Sequence, residues 1–231
     1  MGSTSGVDGT SRPDWRSLGA LAGLDEGALR AGCVRRRFER GETVFHATDP
    51  AGSLHLIDKG RVAVRLTTAL GEVATLDILG VGDTFGEQAL IDGVGERTAT
   101  ITALERVETL ALNRDRFDRL RLDHPGIDQF LLMVVSARLQ RTSRQLRDAL
   151  FLPADTRVLR CVADLYDMFC QQPGSAIPLT QVEIASMTGV TRSTVNRILK
   201  QAEADNLLTI SRSRIDILNP KTLRHRVGIR D

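Results

Sequence analysis

Leu179-Thr180-Gln181-Val182-Glu183-Ile184-Ala185-Ser186-Met187-Thr188-Gly189-Val190-Thr191-Arg192-Ser193-Thr194-Val195-Asn196-Arg197-Ile198-Leu199-Lys200 is the most tightly specified stretch of this chain. Thr180 stands where an N-cap belongs, and Glu183 three residues later completes a capping box. A helix therefore starts after Thr180. Gly189 permits the tight turn that ends it, and Thr191 caps a second helix. Ile184, Ala185 and Val190 supply an apolar face, which Val195, Ile198 and Leu199 meet from the second helix. Arg192, Ser193, Asn196 and Arg197 are left on the outer side. This is the layout of a helix-turn-helix, whose second helix fits a DNA major groove. Arginine pairs two-pronged with guanine O6 and N7, and asparagine with adenine. Lys200, Arg212 and Arg214 suit phosphates. Thr180, Gln181, Thr191 and Thr194, at the starts of the two helices, complete the expected DNA-facing set. Ser211 to Leu218 reads as a wing hairpin, two short strands with charges at the bend.

Charge distribution agrees. Residues 41–133 carry 9 Lys/Arg against 15 Asp/Glu, whereas residues 134–231 carry 15 against 9. Only the second part is suited to meet a polyanion. Cys33, Cys161 and Cys170 include no Cys-x-x-Cys pair, which excludes common zinc and disulfide frameworks, and they are read as reduced thiols. Three cysteines are too few for an iron–sulfur sensor. Met1 to Pro13 is rich in Gly, Ser and Thr, as in a flexible tail and not a signal peptide, and no stretch is apolar enough to span a bilayer. His46, His55, His124 and His225 form no motif with a carboxylate or cysteine, so they are expected on surfaces or turns, and no catalytic residue is assigned.

Toward the N-terminus the texture changes twice. Residues 15–40 look helical, with Leu18, Leu21, Leu24 and Leu29 on a loose stripe. From Gly41, runs rich in Val, Ile, Leu and Thr alternate with glycine turns: Thr43–Phe45, Leu54–Ile57, Val62–Leu66, Val73–Leu79, Thr98–Ala103 and Val107–Leu112. Even spacing of this kind predicts an all-β roll or barrel, with a ligand-free β-sandwich as the alternative. Beyond His124-Pro125 no Gly or Pro follows Gly126 until Pro153, which predicts a long helix. Leu132, Val135, Leu139, Thr142, Leu146 and Ala149 follow a 3-4-3-4-3 spacing, the seam of a helix that pairs with a helix. Thr142 is its polar member and needs a partner.

Within the β-rich part, Phe85-Gly86-Glu87-Gln88-Ala89-Leu90 is followed by Arg97-Thr98-Ala99-Thr100. Gly86 lets backbone N–H groups approach a phosphate, and Glu87 opens a short helix whose positive end favours an anion. Arg97 adds a charge-assisted, two-pronged contact to phosphate oxygens, and Thr98 a hydroxyl. Glu87 repels a phosphate, so its role is to accept from a sugar hydroxyl. A nucleotide carries both groups.

Together the two constellations resemble the cAMP receptor protein (CRP/FNR) family of transcription regulators, over nearly the whole chain from about Leu18 to Leu218. The resemblance implies an α+β architecture: a tail (1–14), a jelly-roll-like cyclic-nucleotide-binding β-roll (15–123), a dimerisation helix and hinge (124–152), and a winged helix-turn-helix DNA-binding domain (153–231). It implies that Gly86, Glu87, Arg97 and Thr98 hold the ribose and cyclic phosphate, within a cassette that includes Phe85, Gln88 and Ala89. Val64, Leu76 and Leu79 fall at apolar lining positions. Thr142 and Ser143, in Leu139-Gln140-Arg141-Thr142-Ser143, would contact the adenine, one of them across a dimer. The implied effector is cAMP; the alternatives are cGMP, because Thr98 can hydrogen-bond guanine, another ligand, or DNA binding independent of nucleotide. No metal is implied. Implied partners are palindromic double-stranded DNA, a second copy of the chain, and RNA polymerase, in the cytoplasm. Arg192, Ser193 and Arg197 match the family's base-reading positions, with one departure. Well-known members have Glu where this chain has Ser193, so a relaxed preference is expected at that base pair.

Overall fold

A computed structural model describes residues 13–15, 23, 25–88, 95–170 and 175–229. The chain forms two compact units, Met1–Leu66 with Ile78–Arg141, and Thr67–Asp77 with Thr142–Asp231. Helix α1 (Glu26–Ala31) precedes eight strands: β1 (Val34–Phe38), β2 (Thr43–Phe45), β3 (Ser53–Lys59), β4 (Val62–Thr67), β5 (Val73–Leu79), β6 (Thr84–Phe85), β7 (Thr100–Ala103) and β8 (Val107–Asn113). They build two four-stranded sheets, ordered β1-β8-β3-β6 and β2-β7-β4-β5. Helices α2 (Arg114–Asp123) and α3 (Gly126–Phe151) follow.

Alternation along β3 divides the interior of the first unit. Leu54 and Leu56, paired with Leu112 and Leu110 of β8, face one way. They pack with Trp15, Leu29, Phe117, Ile127, Phe130 and Leu131. Ile57 points to the other face and packs with Val62, Leu79, Phe85, Ile101 and Val107. A side-chain period of two makes one strand serve two apolar layers. Helix α3 buries Ile127, Phe130, Leu131 and Val134 at helical spacing. Its other face is exposed: Leu132 is 70% accessible, Leu139 66% and Leu146 60%.

The expected strand runs are found as strands, with the run expected over Thr98–Ala103 shortened to Thr100–Ala103. The helix expected over 15–40 is a correction: only Glu26–Ala31 is helical among the described residues there, and Val34–Phe38 is a strand. Its Arg35 and Arg37 reach Glu108 on β8, at 2.7 and 3.6 Å, as an edge strand's charges can. Leu18, Leu21 and Leu24, and the tail through residue 12, lie outside the described residues.

The second unit holds α4 (Ala154–Phe169), α5 (Gln181–Thr188), α6 (Arg192–Ala204), the hairpin β9 (Leu208–Ser211)–β10 (Arg214–Ile217), and α7 (Pro220–Arg226). Thr180 accepts from the Glu183 amide and Glu183 reaches back to Thr180, so the capping box is complete. Gly189 ends α5 with φ at +64°, and Thr191 caps α6. The wing hairpin starts at Leu208, three residues before the expected Ser211. Leu208 is buried, so the hairpin is rooted in the core of its unit. No described helix is long and apolar enough to cross a membrane.

Candidate functional site

A hollow of about 370 Å³ opens in the roll, lined by Phe45, Val64, Phe85, Gly86, Glu87, Gln88, Arg97, Thr98, Ala99, Ile101 and Arg138. Arg97 is 6% exposed, with its guanidinium 4.0 Å from the Phe45 ring centroid. Nη1 donates to the carbonyls of Ser53 (2.9 Å) and Gly86 (3.2 Å), and Nη2 to the Ser53 hydroxyl (3.1 Å). Burial pulls its pKa below the usual value, while Asp49 and Glu87 draw it back up. Gly86 has φ +88°, and a Cβ there would sit 2.5 Å from Arg97 Nη1 and 2.9 Å from the Ser53 carbonyl. Glycine is therefore required by conformation and by space.

Glu87 is fully buried, and Arg138 of α3 pairs with it while also donating to the Thr84 carbonyl at 3.1 Å. A buried carboxylate needs such a counter-charge. Two atoms around this hollow lack partners among the described residues: Glu87 Oε2, an acceptor, and Arg97 Nε, a donor. Buried polar atoms are seldom left so, since each forfeits a hydrogen bond. Nε shares an edge of the guanidinium with Nη2, the fork that suits an anionic oxygen pair. An anion beside a hydroxyl would satisfy both orphans, so the residues fit a nucleotide.

Of the residues expected at this site, Val64, Phe85, Gly86, Glu87, Gln88, Arg97 and Thr98 come together, with Thr98 Oγ1 donating to Gln88 at 2.7 Å. Leu76 and Leu79 are not among the residues that line the hollow, although Leu79 packs in the same apolar layer as Phe85, Ile101 and Val64. Residues three apart on a strand face opposite ways; Leu79 lies in the core and Leu76 is 43% exposed. Ala89 and the short helix expected after Glu87 lie outside the described residues. Thr142 and Ser143 are exposed on α3. Arg138, Phe45 and Ser53 were not anticipated. Arg138 had a signal: it continues the buried stripe Ile127–Leu131–Val134, where an ionisable residue demands a partner.

His55 is a further correction, being 6% exposed and inside the roll rather than at its surface. It stacks on Phe85 at 4.9 Å between centroids, and Nε2 and Nδ1 lie 3.0 and 3.1 Å from the hydroxyls of Ser53 and Thr109. Burial, with Arg97 and Arg36 adding repulsion, pushes its pKa from 6.5 to about 3. Below 6.5 the unfolded chain takes up a proton that the folded chain refuses, so this contribution to stability falls as pH falls. By pH 5 the loss is about 2 kcal/mol. Denaturant titrations at pH 7 and pH 5 should show it, and His55→Phe should lose less than the unsubstituted chain over that interval. Equal losses would contradict the buried neutral imidazole.

On α6, Val195, Ile198 and Leu199 are buried while Arg192, Ser193, Asn196, Arg197 and Lys200 are exposed. Lys200 pairs with Glu203 at 2.7 Å, and Asn196 accepts from Gln181 at 3.1 Å. Among the described residues no ion pair or hydrogen bond holds the guanidinium of Arg192 or Arg197. Two long cations held out to solvent on one helix face are available to a polyanion. Thr194 and Thr191 hydrogen-bond each other at 2.9 Å, and Arg212 stands exposed at the bend of the hairpin.

The cyclic nucleotide-binding domain family matches residues 35–124, and the Crp-like helix-turn-helix domain family matches residues 156–226. The CRP-like cAMP-activated global transcriptional regulator of Mycobacterium tuberculosis is 36% identical over 166 residues, covering 70% of this chain and 74% of that protein. The chain belongs to the CRP/FNR family of transcription regulators. Another family member, the cAMP-activated global transcriptional regulator Vfr of Pseudomonas aeruginosa, is 32% identical over 192 residues, 79% of this chain and 88% of Vfr. Among solved structures, the c-di-GMP responsive global regulator CLP of Xanthomonas campestris matches with TM-score 0.72 at 25% identity, over 84% of this chain and 99% of CLP. A CRP/FNR-family regulator of Thermus thermophilus shares the fold, with TM-score 0.73 at 20% identity over 86% of this chain and all of that one. Membership in the CRP/FNR family makes this chain a DNA-binding transcription regulator with a cyclic nucleotide-binding domain.

Proposed function

We propose that this chain is a homodimeric regulator that binds cAMP in the hollow of the roll and, so loaded, a palindromic DNA duplex, with RNA polymerase as the downstream partner. The observation that carries the nucleotide half is the pair of orphaned buried atoms, Arg97 Nε and Glu87 Oε2, at one hollow. Arg97 offers its Nε–Nη2 edge to the cyclic phosphate. Glu87, compensated by Arg138, accepts from the ribose 2′-hydroxyl. Phe85 and Val64 give the apolar wall. Thr142 and Ser143 take the adenine, an assignment resting on the family resemblance. The cAMP-activated relatives of M. tuberculosis and P. aeruginosa favour cAMP over c-di-GMP, to which CLP responds.

The exposed seam of α3 supports the dimer. Leu132, Val135, Leu139 and Leu146 sit at helix-pairing spacing and are exposed among the described residues, Leu132 by 70% and Val135 by 39%. Two-fold symmetry then asks for two half-sites about one turn, ~34 Å, apart. Arg192 and Arg197 read guanines in each, and Ser193 discriminates weakly between them.

A ligand shifts DNA affinity only by its differential affinity for the two states of the protein. Band-shift titrations on a palindromic duplex should therefore show a midpoint at least tenfold lower with saturating cAMP than without, and a smaller shift with cGMP. Identical midpoints with and without cAMP would contradict the cAMP-responsive reading and leave DNA binding standing. A larger shift with cGMP would reassign the effector.

A further inference from the structure

Among the described residues, no carboxylate within hydrogen-bonding distance holds the guanidinium of Arg97. It is held by the carbonyls of Ser53 and Gly86 and by the Ser53 hydroxyl. That hydroxyl begins a chain of polar groups that the family resemblance does not explain, half-buried at Ser53 and buried at His55 and Thr109: Ser53 Oγ, His55 Nε2 at 3.0 Å, His55 Nδ1, and Thr109 Oγ1 at 3.1 Å. Thr109 is fully buried, on β8, and Ser53 and His55 are both on β3. We propose that Ser53, His55 and Thr109 form a positioning relay that orients Arg97 for the cyclic phosphate.

The polarity of the relay follows from what each group can do. Arginine only donates, so Ser53 Oγ accepts from Nη2. The one hydroxyl proton of Ser53 is then directed at His55 Nε2, which accepts. The neutral ring carries its proton on Nδ1 and donates it to Thr109 Oγ1. Phe85, stacked on the ring within 9° of parallel, fixes the plane in which both nitrogens point along the chain. His55 must stay neutral for this, because a proton on Nε2 would reverse the contact with Ser53 and set a second cation beside Arg97. With Nη1 and one Nη2 hydrogen committed behind it, the guanidinium can present only its Nε–Nη2 edge forward. A guanidinium already oriented loses less freedom when the anion arrives.

The inference rests on the proposed nucleotide site, and its test separates the two. cAMP binding is measured by calorimetry for the unsubstituted chain, Ser53→Ala, Ser53→Thr, His55→Phe and Arg97→Lys. Ser53→Ala should weaken binding about three- to tenfold, and Ser53→Thr, which keeps the hydroxyl, should restore it to within about twofold. His55→Phe keeps the stacked ring and should match Ser53→Ala. In the Arg97→Lys background, Ser53→Ala should bring no further loss, which a merely structural role would not explain. Independently of any variant, nitrogen-15 spectra of the unsubstituted protein should show His55 as the neutral Nδ1–H tautomer at pH 7. Unchanged cAMP affinity in Ser53→Ala, or an Nε2–H or charged His55, would overturn the relay. If Arg97→Lys itself bound as tightly as the unsubstituted chain, the nucleotide site would fall and the relay with it.

Discussion

Arg97→Ala is expected to abolish cAMP binding at concentrations that saturate the unsubstituted protein, a loss of at least 100-fold. The substitution removes the buried cation that, among the described residues, presents an unpartnered Nε–H at the hollow. Hydrogen bonds to a charged group contribute about 1.5–3 kcal/mol each, and the side-on fork makes two. The carbonyls of Ser53 and Gly86 also lose their donor, so part of the effect is a hollow that no longer keeps its shape. Arg97→Lys keeps the charge and loses the fork, and should fall between the two. Calorimetric titration reads all three, and the melting curve of each variant separates loss of site from loss of fold. Binding by Arg97→Ala within threefold of the unsubstituted chain would remove the phosphate assignment.

The second large effect is expected at the seam. Leu139 and Leu146 are 66% and 60% exposed, so placing glutamate at both should leave the chain's own fold intact. Burying a leucine contributes roughly 1.5–3 kcal/mol, and a symmetric pairing buries four at these two positions. Leu139→Glu with Leu146→Glu replaces that gain with like charges facing each other across the two-fold axis. Sedimentation at micromolar concentration should show a dimer for the unsubstituted chain and a monomer for the double variant. Affinity for a palindromic duplex should fall at least 100-fold, because the two half-sites no longer bind as one unit. A double variant that still sediments as a dimer would place the interface elsewhere.

How much of this was legible in the sequence differs by element. The helix-turn-helix was readable almost residue by residue, because caps and a turn glycine are local chemistry: Thr180 with Glu183, Gly189 and Thr191 act within their own turn. The long helix was readable for the same reason. Strand β1 was not, since Val34-Arg35-Arg36-Arg37-Phe38 has no apolar alternation, and the carboxylates of Glu108 and Asp58 across the sheet are what make Arg35 and Arg37 sensible. Leu76 and Leu79 were assigned to the hollow by likeness; on their strand they face opposite ways, and Leu79 is the one packed with Phe85 and Ile101. Ser53 and His55 were invisible as a site. Their roles come from Thr109 more than fifty residues away and from a stacking contact with Phe85, neither of which leaves a local pattern.

Titrating the full chain with cAMP and with its 2′-deoxy analogue tests the central claim most directly, because the analogue lacks only the hydroxyl assigned to Glu87 Oε2. The expected result is one cAMP per chain and at least tenfold weaker binding of the deoxy compound, the share of a hydrogen bond to a buried carboxylate. Equal affinity for the two nucleotides, or no binding of either, would contradict the account.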